Sequence, residues 1–107
     1  MKKILFVCSG NIDRSPTAEA LLKARGGYEV KSAGILPSAP TTVSRKLVKW
    51  ADVIFAMESK HKSAMLEIDP QAAEKIVVLD IEDNYPRGDP ELVRLLRQKL
   101  SGCFPEI

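Results

Sequence analysis

The chain has 107 residues, of which 45% are hydrophobic and 28% charged, a composition that is typical of a globular protein and argues against disorder. This length suffices for one small core but not for two, so we predict a single domain over residues 1–107. The 16 basic and 14 acidic residues are scattered along the sequence and leave a net charge of +2, which favours neither a nucleic acid nor a membrane as a partner.

The first residues form a short apolar run that we interpret as a strand. Lys2 and Lys3 followed by Ile4–Val7 resemble the start of a signal peptide, but the run stops at Cys8 and is too short for one. No stretch is long enough to span a membrane. The two cysteines, Cys8 and Cys103, have neither the number of a disulfide framework nor the spacing of a zinc site. We therefore expect a protein of the reducing cytoplasm.

Strands and helices are predicted to alternate along the whole chain. We expect strands over residues 2–8, 28–33, 53–56 and 76–79, and helices over residues 15–25, 43–50, 58–68 and from residue 90 onwards. Ser15 is the predicted N-cap of the first helix, with Pro16 in its first turn, and Asp89 and Pro90 begin the last helix in the same way. The pattern predicts an α/β fold with a parallel sheet and right-handed crossovers.

Two polar segments are expected to face one pocket, because ligands of such sheets bind beyond the carboxyl ends of the strands. The first segment covers residues 8–15 and follows the first strand, and the second covers residues 80–88 and follows the fourth.

The first of these segments has the features of a phosphate-binding loop. Cys8 ends the strand and Arg14 follows six residues later. Between them, Gly10 permits close backbone approach and Asn11 tolerates a left-handed conformation, so the loop N–H groups can turn inward beside a helix N-terminus. Arg14 can grip two phosphate oxygens, and the same field should stabilise a thiolate at Cys8, to which the Ser15 hydroxyl can donate. The alternative is that Cys8 is a small hydrophobic residue that ends a buried strand and that Ser15 is only a cap.

These residues resemble the signature of the low-molecular-weight protein tyrosine phosphatases. Residues 7–19, VCSGNIDRSPTAE, match V-C-x-G-N-x-C-R-S-P-x-A-E at every fixed position except the second cysteine, which is Asp13 here. Further similar segments are Val30–Gly34 (VKSAG), Ala51–Glu58 (ADVIFAME) and Asp80–Tyr85 (DIEDNY). The chain is shorter than typical members between Gly34 and Trp50, so it resembles the compact branch of the family.

The resemblance implies a phosphatase I-like fold, with a doubly wound open sheet of four strands in the order 2-1-3-4 and helices on both faces. It also implies hydrolysis of a phosphomonoester through phosphocysteine, in which Cys8 is the nucleophile, Arg14 the phosphate clamp and Asp83 the general acid and base. Neither a metal nor another cofactor is implied. The remaining residues of the implied phosphate site are Ser9, Gly10, Asn11, Ile12, Asp13 and Ser15.

The acid loop departs from the family pattern on both sides of Asp83. Glu82 and Asn84 stand where the family has prolines, which would restrict the backbone. By its sequence context alone, Asp83 is more typical of a turn former than of an acid, and Asp80 is the alternative acid. Tyr85 resembles the aromatic residue that lines the family's substrate cleft, although it could equally pack in the core.

The resemblance also implies that Asn11 and Ser32 brace the phosphate loop, by hydrogen-bonding each other. The histidine that joins this bracing in the family has no visible counterpart, because it belongs to the shortened region. We interpret the single histidine, His61, as a structural or surface residue in the middle of a helix, and Trp50 as a packing residue.

The sequence leaves open whether the side chain of Asp13 points into the phosphate loop or away from it. An inward carboxylate would repel both a thiolate and a bound phosphate. The alternative is that Asp13 turns outward, or that it pairs with Arg14 or with a lysine.

Three other functions compete with a phosphatase. Arsenate reductases of the same fold need two further cysteines, whereas only Cys103 is available. The cysteine-phosphorylated components of sugar phosphotransferase systems lack the arginine of this signature. A catalytically weak module that binds phosphate or phosphotyrosine is the main alternative. For an enzyme, a phosphotyrosine protein, a small aryl phosphate and phosphoarginine all remain open as substrates, and the oligomeric state is not indicated.

Overall fold

The computed structural model describes residues 1–104 and is built on one parallel sheet of four strands. The strand order is β2-β1-β3-β4, which confirms the order that the family resemblance implied. β1 pairs in parallel with both β2 and β3, and β3 pairs with β4. The strands are β1 (Lys2–Cys8), β2 (Tyr28–Gly34), β3 (Val53–Ala56) and β4 (Ile76–Val78).

Within residues 1–104, four α-helices cover the two faces of the sheet. Alternate residues of a strand point to opposite faces, so β1 contributes to two cores. Ile4 and Phe6 pack with one pair of helices, and Leu5 and Val7 pack with the other pair. The first pair is α1 (Arg14–Arg25) and α4 (Pro90–Leu100), and the second pair is α2 (Arg45–Trp50) and α3 (Ser59–Ile68). This is the predicted doubly wound arrangement. None of the helices in residues 1–104 is long and apolar enough to cross a membrane.

The helix ends follow local capping chemistry, with one correction to the predictions. The Asp89 carboxylate accepts the N–H groups of Glu91 and Leu92, as expected ahead of Pro90. Ser15, in contrast, is not the N-cap of α1: that position belongs to Asp13, and Ser15 lies inside the first turn. The prediction was wrong because the Ser15 hydroxyl bonds to side chains of the preceding loop rather than to the helix backbone. A short 3-10 helix, Pro70–Lys75, was not predicted.

Gly34 is a position where the close approach of two backbone segments requires a glycine. At the carboxyl end of β2 its N–H donates to the Thr41 carbonyl, and its own carbonyl accepts the N–H of Val43. A Cβ atom on Gly34 would lie 2.5 Å from the Ser9 carbonyl oxygen and 2.9 Å from the Asn11 nitrogen. Gly10, which we expected to serve close approach, leaves a Cβ in ordinary contact with the Ile12 side chain alone. Among the protein's own atoms, the close approach behind the loop is therefore made at Gly34.

We expect Gly34→Ala to lower the free energy of unfolding by about 1–3 kcal/mol, because the added methyl group collides with backbone that cannot move without distorting the loop. Urea unfolding followed by circular dichroism measures this change. Gly102→Ala is the matched control, since its Cβ would meet nothing within 4 Å and its φ is not in the left-handed region. Equal stabilities for the two variants would contradict the prediction.

Candidate active site

The loop of residues 9–13 connects the buried end of β1 to the start of α1 and curls around one sulfur atom. Cys8 is buried, and its Sγ accepts the backbone N–H of Asn11 at 3.2 Å. Asn11 has φ 55°, in the left-handed region, as its residue type predicted. This conformation accompanies the turn of the Asn11 N–H toward the sulfur. The loop is therefore shaped to hold negative charge next to Cys8.

Ser15 also points at the sulfur, with its Oγ 3.0 Å from Cys8 Sγ. Asn11 Nδ2 donates to the same Oγ at 3.0 Å. Because Ser15 accepts this bond, its own hydroxyl proton can be donated to another acceptor. The sulfur is the nearest acceptor, because the alternative, the Ala33 carbonyl, is 3.4 Å away. Ser15 can therefore donate to Cys8, as predicted.

A chain of hydrogen bonds braces the loop from behind. Asn11 Nδ2 donates to Ser32 Oγ at 2.9 Å, which confirms the expected contact, and Ser32 Oγ donates to Glu19 at 2.6 Å. The Thr41 N–H donates to Asn11 Oδ1 at 3.3 Å, and this contact sets the orientation of the Asn11 amide. Glu19 and Thr41 were not among the predicted site residues. Glu19 is a fixed position of the quoted signature, which is a signal that could have found it.

Arg14 runs beneath the loop with only 1% of the residue exposed. Its Nη1 donates to Glu58 at 2.5 Å and to the Ile81 carbonyl at 2.7 Å. Nε and Nη2 make longer contacts, 3.7 Å to Asp83 and 3.5 Å to Ser9 Oγ. Nη1 is thus used for anchoring, while Nε and Nη2 are available to an anion in the loop.

Glu58 is the counter-ion of Arg14. The hydrogen bond from the guanidinium lowers the pKa of the Glu58 carboxyl, and the positive charges of Arg14 and Lys60 lower it further. An ionised Glu58 fixes the orientation of the guanidinium. The sequence analysis placed Glu58 in a family-like segment but gave it no role at the site.

Asp83 lies at the pocket, on the exposed loop after β4. The two residues beside it, in the positions of the family's prolines, hydrogen-bond each other: Asn84 Nδ2 donates to Glu82 at 2.6 Å. This contact ties the residues on either side of Asp83 together. Asp80, the alternative acid, is exposed and does not line the pocket, and Tyr85 packs against the core beside α1 and α4 rather than against the pocket.

Asp13 turns toward the acid loop rather than toward a cation. Its Oδ1 accepts the backbone N–H of Arg87 at 3.0 Å. No ion pair joins it to Arg14 or to a lysine within residues 1–104. The half-buried carboxylate therefore stands at the rim, between the phosphate loop and residues 83–88.

The loop, Arg14 and Asp83 enclose a pocket of about 170 Å³. This is smaller than the 300–1,000 Å³ of a typical small-molecule site, so it fits a phosphate and the atoms next to it rather than a whole ligand. Two exposed apolar side chains stand at its rim, Ile12 at 60% and Leu36 at 45% exposure. The pocket is lined by Cys8, Ser9, Gly10, Ile12, Asp13, Arg14, Leu36 and Asp83.

His61 contacts the phosphate loop, a position that the sequence analysis missed. It lies in the first turn of α3 rather than mid-helix, and it is fully buried. The Glu58 N–H donates to Nδ1 at 2.9 Å, so Nδ1 carries no proton and the hydrogen of the neutral ring is on Nε2. Nε2 therefore donates to Ser9 Oγ, 2.9 Å away. No motif pointed to this contact, because it joins residues 52 positions apart.

The environment of His61 favours the neutral ring. Burial, followed by the positive charge of Arg14, lowers its pKa from 6.5 to about 4. The neutral ring is also the form that can accept the Glu58 N–H. His61 thus keeps its hydrogen-bonding pattern throughout the neutral pH range.

We expect the stability that depends on neutral His61 to be complete above pH 6.5 and to be lost as the pH falls from 6.5 to about 4, because the unfolded chain takes up a proton there and the folded chain does not. The loss amounts to about 3 kcal/mol. Urea unfolding at several pH values should show a steeper dependence for wild type than for His61→Asn. As His61 is the single histidine, its NMR signal should also stay that of neutral imidazole down to about pH 5, whereas the urea-unfolded chain titrates near 6.5. A folded-state midpoint near 6.5 would contradict this prediction.

The two cysteines lie at opposite ends of β1. Cys103 lines a groove with Lys2 and Ile4 at the amino end of the strand, whereas Cys8 is its last residue. A seven-residue strand is roughly 20 Å long, far beyond the reach of a disulfide. The folded protein therefore cannot link Cys8 to Cys103. In residues 1–104, no three His, Cys, Asp or Glu side chains come together as metal ligands.

Comparisons of the sequence and of the structure with known proteins also point to a phosphatase. The family model for low molecular weight phosphotyrosine protein phosphatase matches residues 3–42. A protein-arginine-phosphatase from Geobacillus stearothermophilus is 34% identical over 92% of this chain and 88% of its own length. The low molecular weight protein-tyrosine-phosphatase Wzb of Salmonella typhi is 33% identical over 95% of this chain and 84% of its own length. Vibrio vulnificus Wzb in complex with benzylphosphonate has a TM-score of 0.77 and 27% identity, covering 94% of this chain and 95% of that one. The chain belongs to the low molecular weight phosphotyrosine protein phosphatase family, whose members are cysteine-dependent phosphatases.

Proposed function

We propose that this protein is a protein tyrosine phosphatase that acts through a phosphocysteine on Cys8. The observation that carries the proposal is the position of the Cys8 sulfur, which contacts the Asn11 N–H and the Ser15 hydroxyl and lies in one pocket with Arg14 and Asp83. Nucleophile, anion clamp and acid thus surround a space that fits one phosphate group.

In the first step, the Cys8 thiolate attacks phosphorus. The S–P bond forms, the P–O bond to the substrate breaks, and Asp83 gives its proton to the departing oxygen. Arg14 and the loop N–H groups hold the phosphoryl oxygens while negative charge shifts during the transfer. Arg14 and the loop are held in place by hydrogen bonds before substrate arrives, so these groups need little reorganisation during the reaction.

In the second step, water replaces the sulfur. The Asp83 carboxylate takes a proton from a water molecule, whose oxygen attacks phosphorus as the P–S bond breaks and inorganic phosphate is released. The departing sulfur becomes a thiolate again, and the Ser15 hydroxyl donates to it. Asp83 ends protonated and ready for the next cycle.

The rim of the pocket favours an aryl phosphate as substrate. Ile12 and Leu36 are exposed apolar side chains on its lining, and a flat aromatic ring would cover both. The physiological substrate we propose is a phosphorylated protein, as the names of the relatives indicate for those proteins. We place the protein in the cytoplasm, where the reducing environment keeps the Cys8 thiol free.

Hydrolysis of para-nitrophenyl phosphate tests the mechanism. We expect Cys8→Ser to abolish turnover, and Asp83→Ala to lower kcat by about 10²–10⁴, the usual contribution of a general acid. Asp80→Asn is the matched control and should keep wild-type activity, because Asp80 does not line the pocket and asparagine tolerates the left-handed backbone of this position (φ 55°). A larger loss in Asp80→Asn than in Asp83→Ala would reassign the acid. If wild type is no faster than Cys8→Ser, the protein is a phosphate-binding module instead.

The substrate class is tested with matched phosphotyrosine and phosphoarginine peptides. We expect a higher kcat/KM for phosphotyrosine, and we expect Ile12→Ala to lower this value about fivefold, since about 1 kcal/mol of apolar contact with the ring is lost. Val77→Ala is the control, because Val77 is similarly apolar and 41% exposed but lies on β4 away from the pocket. A higher kcat/KM for phosphoarginine would make the chain an arginine phosphatase, the activity named for its Geobacillus relative.

A further inference from the structure

We propose that Asp13 is a positioning residue, which holds the loop carrying Asp83 over the phosphate loop. This inference rests on the proposed function and deepens it, because it assigns a role to the one position at which the chain departs from the family signature. Asp13 takes no direct part in the chemistry. It acts through the backbone of Arg87.

Two neighbouring hydrogen bonds join the start of α1 to the end of the acid loop. The Arg87 N–H donates to Asp13 Oδ1 at 3.0 Å, and the Gly88 N–H donates to Thr17 Oγ1, also at 3.0 Å. Thr17 Oγ1 in turn donates to the Asp13 carbonyl at 2.7 Å, so the two acceptors are connected. Gly88 has φ 76°, a left-handed conformation that glycine adopts without strain and that lets both consecutive N–H groups face α1.

The other end of the acid loop is anchored as well. The Ile81 N–H donates to the Met57 carbonyl at 2.8 Å, and the Ile81 carbonyl accepts Nη1 of Arg14 at 2.7 Å. The segment 82–86, which is exposed except for the half-buried Tyr85, is therefore fixed at both ends, by Ile81 on one side and by Arg87 on the other. Asp83 lies in this segment, with its Oδ1 3.7 Å from Nε of the Arg14 guanidinium.

The bond from Arg87 needs an acceptor at position 13. A carboxylate oxygen accepts strongly from a backbone N–H, whereas a thiol sulfur at this position is a weak acceptor. Without the bond, this end of the loop would be held only by the Gly88 bond to Thr17 and by the packing of Tyr85, so Asp83 would spend less time within reach of the leaving oxygen. Proton transfer from Asp83 to the leaving group would then be slowed more than the attack by Cys8.

The experiment compares two substrates in three variants. Phenyl phosphate has a poor leaving group that needs the proton from Asp83, whereas 2,4-dinitrophenyl phosphate has a leaving group that departs without one. We expect Asp13→Ala to lower kcat/KM, which includes only the steps up to departure of the leaving group, about tenfold more for phenyl phosphate than for 2,4-dinitrophenyl phosphate, the effect of one lost hydrogen bond. Asp13→Asn keeps an oxygen acceptor of the same shape, so its kcat/KM values for the two substrates should stay close to those of wild type. An effect of the charge alone would instead make Asp13→Asn behave like Asp13→Ala.

Asp52→Ala is the matched control, because Asp52 makes the same kind of bond at the other end of the sheet, accepting the Lys3 N–H at 2.8 Å. Asp52→Ala should leave the ratio of the kcat/KM values for the two substrates unchanged. An unchanged ratio in Asp13→Ala, or an Asp13→Asn protein that behaves like Asp13→Ala, would overturn the proposal.

Amide hydrogen exchange tests the contact independently of catalysis. The Arg87 amide should be protected in wild type and in Asp13→Asn and should exchange faster in Asp13→Ala, while Asp52→Ala leaves it unchanged. If wild type hydrolyses neither substrate, the proposed function fails, and this exchange still decides whether Asp13 holds the loop. Equal exchange of Arg87 in wild type and Asp13→Ala would show that it does not.

Discussion

The structure depends above all on the buried guanidinium of Arg14, which needs a counter-ion and hydrogen-bond acceptors. Arg14 cannot lose its proton in a protein, and leaving its charge unpaired in the interior would cost roughly several kcal/mol. It takes its acceptors from two segments far along the chain, Glu58 after β3 and the Ile81 carbonyl after β4. Because the strands are parallel, both segments emerge at the same edge of the sheet as the loop after β1. The cation that we propose to bind substrate phosphate is therefore also the link that holds three strand ends together.

Around this cation, the phosphate loop is held from two sides by neutral hydrogen bonds. Behind it, the amide of Asn11 connects Ser15 and Ser32, and the Gly34 backbone lies against the loop without a side chain between them. On the other side, His61 donates to Ser9. Since these partners are uncharged, they fix the geometry without cancelling the positive field that an oxyanion needs. Preorganisation of this kind means that little energy is spent on rearranging the site during the reaction.

The site residues that could be predicted are those whose role depends on nearby sequence. The left-handed conformation of Asn11 follows from its residue type, and the approach of Cys8, Ser15 and Arg14 follows from a strand, a short loop and a helix in succession. His61 could not be found in this way. Its contact with Ser9 depends on how α3 is rotated against β1, and a sequence pattern of apolar residues sets that rotation only approximately.

The amino-acid sequence by itself determined the alternation of strands and helices, the parallel sheet and the phosphate-binding loop, because strand burial, helix starts and loop conformation depend on residues close together in the chain. Only the tertiary structure decided the direction of Asp13, the packing of Tyr85 and the contact made by His61. Each of these depends on a partner from a distant segment, and a side chain with several possible partners takes the one that packing brings within hydrogen-bonding distance. For Asp13 that partner is a backbone N–H of the acid loop, 74 residues away.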